Sequence, residues 1–346
     1  MKTGKNEIIV MGGTHRAVLA LEKILQLNDI KIPFAIFQED YPWDEQWLPE
    51  LKSIAEKNNI PYHVYKSDEK LSSETIAEVN KLRSKAIIGI GTWRSLLPSK
   101  FWKNTQYGYI GIHGTLLPEY RGFAGLNWYV INGEKECGMQ IVRLDESIDG
   151  GDLVLKKDGT LFRKIIPLNS ERTMKEIVRE VEKTHVELVS DLIENIKRDN
   201  IAFSKQDETK ATWTCHRGPE DGEINWNKTS EEIHNFIRGQ SNPFPGAYSF
   251  YQNKKFYIWK TSIPSNPKKY VGRIVGKVVE RSPSGIVSIL TKDGILKIEE
   301  ISVDGKKIKP SQFIKSVKQT LGYQPRYEIE ELKERITKLE NIIQEK

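Results

Sequence analysis

IGIHGTLLPEYRGFAGLNWYVINGEKECGMQIVRLDESIDGGD, residues 110–152, decides how this chain folds. It opens with an apolar, strand-like run ending at His113. It then turns through Leu116-Leu117-Pro118, passes the pair Arg121-Gly122, and closes on Ile148-Asp149-Gly150-Gly151. His113 and Asp149 lie 36 positions apart, each at the end of a strand-like run. A basic group and a carboxylate so placed can meet at one edge of a parallel sheet, where open α/β folds put their ligand crevice.

Working outward, residues 7–11, 32–37, 62–65, 86–91, 109–113 and 139–144 read as strands, most of them continuous apolar runs of buried type. Residues 17–27, 44–59, 74–85 and 172–198 read as helices. Strands alternating with helices predict a doubly wound, Rossmann-like, mostly parallel α/β sheet, which we expect to occupy residues 1–205. The glycines after the first strand, GGTHRA, lack the G-x-G-x-x-G spacing of a dinucleotide loop.

From Ala211 the composition changes to short segments with aromatics and turn residues, including Asn242-Pro243-Phe244-Pro245-Gly246 and Asp304-Gly305. Candidate strands at 247–251, 256–260, 273–280, 285–290 and 295–302 predict a small β-barrel of the oligonucleotide-binding (OB) type within residues 206–325. Residues 326–346 form a third segment. Ile329, Ile336 and Ile343 recur every seven residues with Leu332 and Leu339 between them. Ile at a with Leu at d suits a parallel two-stranded coiled coil, so residues 328–346 are expected either to link copies into a homo-oligomer or to dock on the chain's own barrel.

Composition narrows the function classes. The chain has 346 residues, 38% hydrophobic and 29% charged, with a net charge of +6. That charge permits an anionic ligand without requiring a polyanion. No apolar run approaches the roughly 20 residues needed to cross a membrane, and residues 1–13 lack a signal-peptide pattern. The two cysteines, Cys137 and Cys215, lack metal-ligand spacing, so neither a disulfide framework nor a metal site is expected, and a cytoplasmic location is.

The run Gly-x-His113, Thr115-Leu116-Leu117-Pro118, Arg121-Gly122 and Ile148-Asp149-x-Gly resembles the motif of the N10-formyltetrahydrofolate-dependent formyltransferases. His113 and Asp149 fall on that family's catalytic histidine and aspartate. The family's asparagine, two positions before the histidine, is replaced here by Gly111. The resemblance implies formyl transfer to an amine with N10-formyltetrahydrofolate as co-substrate. Histidine suits the proton steps because it titrates near neutrality, and a neighbouring carboxylate orients it. Gly111 removes a hydrogen-bond donor to the formyl oxygen, a loss typically worth about 100- to 1000-fold in rate. Three readings stay open at this point: a lesion that Gly111→Asn would repair, replacement by a water or a nearby side chain, or a site that binds without transferring. Asp145 and Asp152 read as turn or cap residues.

The same resemblance places Arg94, Ser95 and Leu96 around the pterin, with Leu144, Asp145 and Ile148 on the opposite wall; Trp93 reads equally well as core. It extends through residues 217–260, closest in detail to enzymes acting on amino-sugar nucleotides. This implies substrate contacts at Arg121, Gly122, Asn127, Arg217, Asp221 and Trp226. Initiator tRNA is the rival partner. Against tRNA stands the acidic loop 38–47 (QEDYPWDEQW), at the place where the tRNA enzymes carry a basic insertion. For it stand Lys306, Lys307, Lys309, Lys315 and Lys318.

Overall fold

A computed structural model describes residues 6–42, 44–169 and 171–344. Trp43 of the acidic loop, the last two residues of the tail and the first five residues of the N-terminal segment read for a signal peptide therefore lie outside the described residues.

The chain divides into two compact units. The first takes the residues up to 126, then 136–167 and 177–216. Its sheet begins with β1 (Ile8–Gly12), α1 (Thr14–Leu25), β2 (Ala35–Gln38), α2 (Leu48–Lys57), β3 (Tyr62–Tyr65), α3 (Ser73–Leu82), β4 (Ala86–Gly89) and β5 (Tyr109–His113). All residues of β1, β2 and β4 are buried, as continuous apolar runs flanked by parallel neighbours demand. These strands lie in the order β5-β4-β1-β2-β3, every pair parallel. Helix α3 starts where Ser72 accepts a hydrogen bond from the Thr75 amide at 3.2 Å, an N-cap.

Beyond β5 the chain forms β6 (Arg121–Gly122) and α4 (Gly125–Ile131), then β7 (Glu136–Arg143), β8 (Asp152–Leu155), β9 (Arg163–Pro167), α5 (Met174–Lys197), β10 (Ala202–Ser204) and β11 (Trp213–Thr214). Strand β7 joins β5 in antiparallel register, and β8, β9 and β10 extend an antiparallel wing. Strand β6 pairs separately with β11. The parallel half of the sheet was readable from alternation. The wing was not, because β8 to β10 are short and partly exposed. Asp152, read from sequence as a turn or cap residue, is instead the first residue of β8. It is buried and ion-paired with Arg143 and with Lys205 at 2.9 Å. Burial opposes its ionisation, but the bonds from Lys205 and Arg143 outweigh it and hold the carboxyl below its usual range.

The second unit takes residues 127–135, 168–176 and 217 onward. It contains α6 (Ser230–Gln240), β12 (Ala247–Tyr251), β13 (Lys254–Ser262), β14 (Val278–Arg281), β15 (Val287–Leu290), β16 (Ile295–Val303), β17 (Lys306–Ile308), α7 (Pro310–Phe313) and α8 (Pro325–Gln344). Its six strands form one antiparallel sheet, ordered β12-β13-β16-β15-β14 with β17 on β16. Phe256, Ile258, Ile289, Leu296 and Ile298 fill its core. Helix α6 opens on a reciprocal capping box between Thr229 and Glu232.

Candidate active site

His113 ends β5, and the loop after β7 brings Asp149 to it, with Nδ1 3.5 Å from the carboxylate Oδ1. The antiparallel register explains the meeting: Ile110 lies opposite Arg143, so the end of β5 and the chain leaving β7 stay close. Both side chains are mostly buried, 16% and 17% exposed. His113 Nε2 is buried and makes no hydrogen bond within the protein.

Asp149 is held from three directions. Its backbone has φ of +53°, an uncommon left-handed conformation for aspartate. Its Oδ2 accepts a 2.7 Å bond from the Gly122 amide. Its carbonyl accepts one from Gln206 Nε2, also 2.7 Å, and the same nitrogen donates to the Gly151 carbonyl. Gln206 is fixed in turn by Arg121, whose Nε and NH2 nitrogens donate to Gln206 Oε1 at 3.2 and 2.8 Å. The remaining Arg121 donors go to Glu208 at 2.7 and 2.9 Å, which raises the affinity of the guanidinium for its proton. The Arg-Gly pair therefore has a local explanation. Arg121, 3% exposed, secures the strap that carries Gln206, while Gly122 turns its amide onto the carboxylate. Gly122 has φ of +101°, and a Cβ there would fall 2.6 Å from the Thr214 carbonyl oxygen, so glycine is required.

Gly111 sits two residues before His113 on the same face of β5. A Cβ built there meets Leu144 Cδ1 at 3.0 Å, so the leucine leans against the place of the missing side chain.

The residues expected around the pterin divide into anchored and exposed groups. Arg94 is anchored: its amide donates to Gln38 Oε1 at 2.9 Å, its guanidinium reaches the Glu39 carbonyl at 3.2 Å and Asp44 at 3.3 Å, and it lies 4.3 Å over the Tyr41 ring. Part of the acidity of loop 38–47 is thus matched inside the unit. Burial raises the Asp44 pKa against the opposing pull of Arg94. Ser95 donates to the Glu69 carbonyl. Leu96 and Ile148 are exposed, at 69% and 48%, and Leu144 packs against the core cluster that also takes Trp93. Asp145 accepts the Ser147 amide at 2.8 Å, a turn contact. A cleft of about 600 Å³ adjoins Leu144 and Asp145, but none of His113, Asp149 or Gly111 lines it.

Asn127, Arg217, Asp221 and Trp226 belong to the second unit. Asn127 donates to the Gly239 carbonyl at 2.8 Å. Arg217 donates to the Asp221 carbonyl at 2.7 Å and lies 4.9 Å over Trp128. Asp221 accepts the Gly218 amide. Trp226, 5% exposed, is part of that unit's core and donates to Ser249. Sequence reasoning missed Gln206 and the buried Gln140 of β7. An isolated glutamine within an apolar or irregular segment gives no periodic signal.

A largely parallel α/β sheet thus turns a buried histidine toward a carboxylate held by a glycine amide. The chain belongs to the formyl transferase family: its formyl transferase model matches residues 13–189, and the model of the C-terminal domain matches residues 218–318. The methionyl-tRNA formyltransferase of Clostridioides difficile (strain 630) is 30% identical over 304 residues, 87% of this chain and 93% of that protein. Among solved structures, the N-formyltransferase of Helicobacter canadensis, in complex with folinic acid and dTDP-3-aminofucose, matches with a TM-score of 0.63 at 21% identity. That match covers 84% of this chain and 97% of that one. HypX of Aquifex aeolicus, in complex with tetrahydrofolic acid, matches with a TM-score of 0.55 at 16% identity. It covers 91% of this chain, which spans about half of HypX (48%). The structural likenesses show the shared fold. Among the described residues no group of three or more His, Cys, Asp or Glu could hold a metal, and no helix is long and apolar enough to cross a membrane.

Proposed function

We propose that this chain, in the cytoplasm, transfers the formyl group of N10-formyltetrahydrofolate to the amine of an amino-sugar nucleotide. The observation that carries the reading is the His113–Asp149 pair, with Asp149 fixed by Gly122 and Gln206 and His113 Nε2 left without a protein partner. In the reaction a bond forms between the amine nitrogen and the formyl carbon, and the bond from that carbon to N10 breaks. One proton leaves the amine and one reaches N10. His113 takes part in both proton movements, and Asp149 orients it and stabilises its charged form. Exposed Leu96 and Ile148 supply apolar surface for a pterin, with Arg94, Ser95, Leu144 and Asp145 around them.

A sugar-nucleotide acceptor is favoured by loop 38–47, whose acidic residues would repel an acceptor stem. Methionyl-tRNA is the second reading. It is supported by the relatives that carry that name and by Lys306, Lys307, Lys309, Lys315 and Lys318. Incubation with N10-formyltetrahydrofolate and either a panel of amino-sugar nucleotides or methionyl-tRNA, following tetrahydrofolate release, separates the two. Release with a sugar nucleotide and none with the tRNA is expected, and the opposite pattern would reverse the assignment.

A further inference from the structure

Gln140 lies near the middle of β7, directly opposite His113 in the ladder that joins β7 to β5. Residues opposite one another across a ladder carry their side chains on the same face. The two-residue period of β5 puts position 111 on that face as well. Gln140 is 1% exposed, yet neither Nε2 nor Oε1 of its carboxamide has a hydrogen-bond partner. Leaving a buried amide unpaired is costly, and the neighbouring Met139, Ile141 and Val142 are buried apolar residues. A leucine or valine would serve packing better. At the same rung His113 Nε2 is buried and unpaired too. Two unsatisfied polar groups on one face, beside a position where Gly111 offers no side chain, form a set that lacks a polar guest.

We propose that Gln140 is a catalytic residue: its carboxamide Nε2–H donates to the formyl oxygen in the transition state, the role that an asparagine at position 111 would fill. This inference rests on the formyl-transfer reading but not on which amine is the acceptor. As the amine adds, the carbonyl electron pair moves onto oxygen, and the carboxamide stabilises that charge without giving up its proton. The pair returns as the bond to N10 breaks. Gly111 is then no lesion: the donor has moved from β5 to the facing strand, and Leu144 fills the space left behind.

Gln140→Leu keeps volume and removes the donor. We expect kcat to fall about 100-fold or more, with KM for folate and amine unchanged and Tm not lowered. Adding Gly111→Asn to Gln140→Leu should restore about tenfold or more of the loss, because one oxyanion donor is replaced by another. An unchanged kcat in Gln140→Leu overturns the proposal. So does a loss expressed in KM or accompanied by a collapse of Tm, which would mark Gln140 as packing only. The infrared carbonyl stretch of a hydrolysis-stable N10-formyl folate analogue, labelled at the formyl carbon and bound to each form, gives a readout independent of the amine. A lower frequency in the unmodified protein than in Gln140→Leu supports the proposal, and equal frequencies overturn it. If that difference appears while no amino-sugar nucleotide is formylated, the acceptor assignment fails and the role of Gln140 stands.

Discussion

At the scale of single residues, the proposed reaction gives proton handling and positioning to different groups. His113 is the group with a free ring nitrogen, and Asp149 is the group that Gly122 and Gln206 hold in place. His113→Ala should lower turnover by at least about 100-fold through loss of acid–base catalysis. Folate binding should persist, because Leu96, Ile148 and the main chain at 94–96 are untouched. Folate affinity falling as steeply as turnover in an equilibrium titration would contradict that division. Asp149→Ala should also remove most turnover, since it takes away both the orienting carboxylate and the acceptor of the Gly122 amide. Gly122 tests the positioning arm alone. Gly122→Ala forces a side chain into a left-handed conformation, at a cost of about 1–3 kcal/mol, and against the Thr214 carbonyl. Calorimetry should show the lowered Tm, and turnover should fall with it although no reacting group has changed. Full turnover in Gly122→Ala would mean that Asp149 does not need this amide.

At the scale of elements, a buried histidine is one of the groups that tie α5 to the sheet. His185 Nε2 meets the Ile90 carbonyl just beyond β4 at 2.8 Å, so this nitrogen carries the proton and donates. Burial, and after it the charge of Arg16, push the His185 pKa down to about 3 against the opposing effect of that bond. In the unfolded chain the ring titrates near 6.5, so below about that pH the unfolded state binds a proton that the folded state refuses. The stability this histidine contributes is complete above about pH 6.5 and is lost as the pH falls toward its folded pKa. By about pH 5 the loss reaches roughly 2 kcal/mol. His185→Gln keeps a donor for Ile90 without titrating there. Urea unfolding should show a flatter dependence between about pH 6.5 and 5 in the variant, and parallel curves would remove His185 from the account. The elements themselves were legible in proportion to their periodicity. Buried runs such as IIVM of β1 and AIIG of β4 declared the parallel half, and α5 declared itself over its whole length. The antiparallel wing beyond β5 was legible only in part, because β8 (DLVL) and β10 (AFS) are too short to show a period. The histidine could be read because it terminates β5; the aspartate could be read only from its Ile-Asp-x-Gly motif, since it lies in the loop beyond β7 and ends no strand. Gln206 and Gln140 could not, since their roles exist only once β7 lies against β5 and the strap at 206–208 reaches Arg121.

At the scale of the whole molecule, α8 is the element whose surface is left unanswered within the chain. Ile329, Leu332, Ile336, Leu339 and Ile343 are 51%, 48%, 53%, 59% and 72% exposed, so the alternative of docking on the chain's own second unit does not describe this helix. A helix of 20 residues is marginal in water without a packed face, and the a/d spacing offers that face to a second copy. The flanking charges choose the direction. In a parallel pair each g position faces the other copy's e position five residues on, so Glu328 meets Lys333 and Arg335 meets Glu340, all attractive. In an antiparallel pair that sets a against d, Lys333 meets Lys333 and Arg335 meets Arg335. The parallel dimer is therefore expected. Removing residues 328–346 should reduce the mass found by light scattering to that of a monomer while formyl transfer persists, and an unchanged mass would eliminate the tail as the assembly element. Arg335→Glu turns two symmetry-related attractions into repulsions and should weaken pairing about tenfold. Combining it with Glu340→Arg should restore pairing. Residues 335 and 340 are not helical neighbours, so that rescue can come only from contact between two parallel copies. A dimer insensitive to Arg335→Glu would instead be antiparallel.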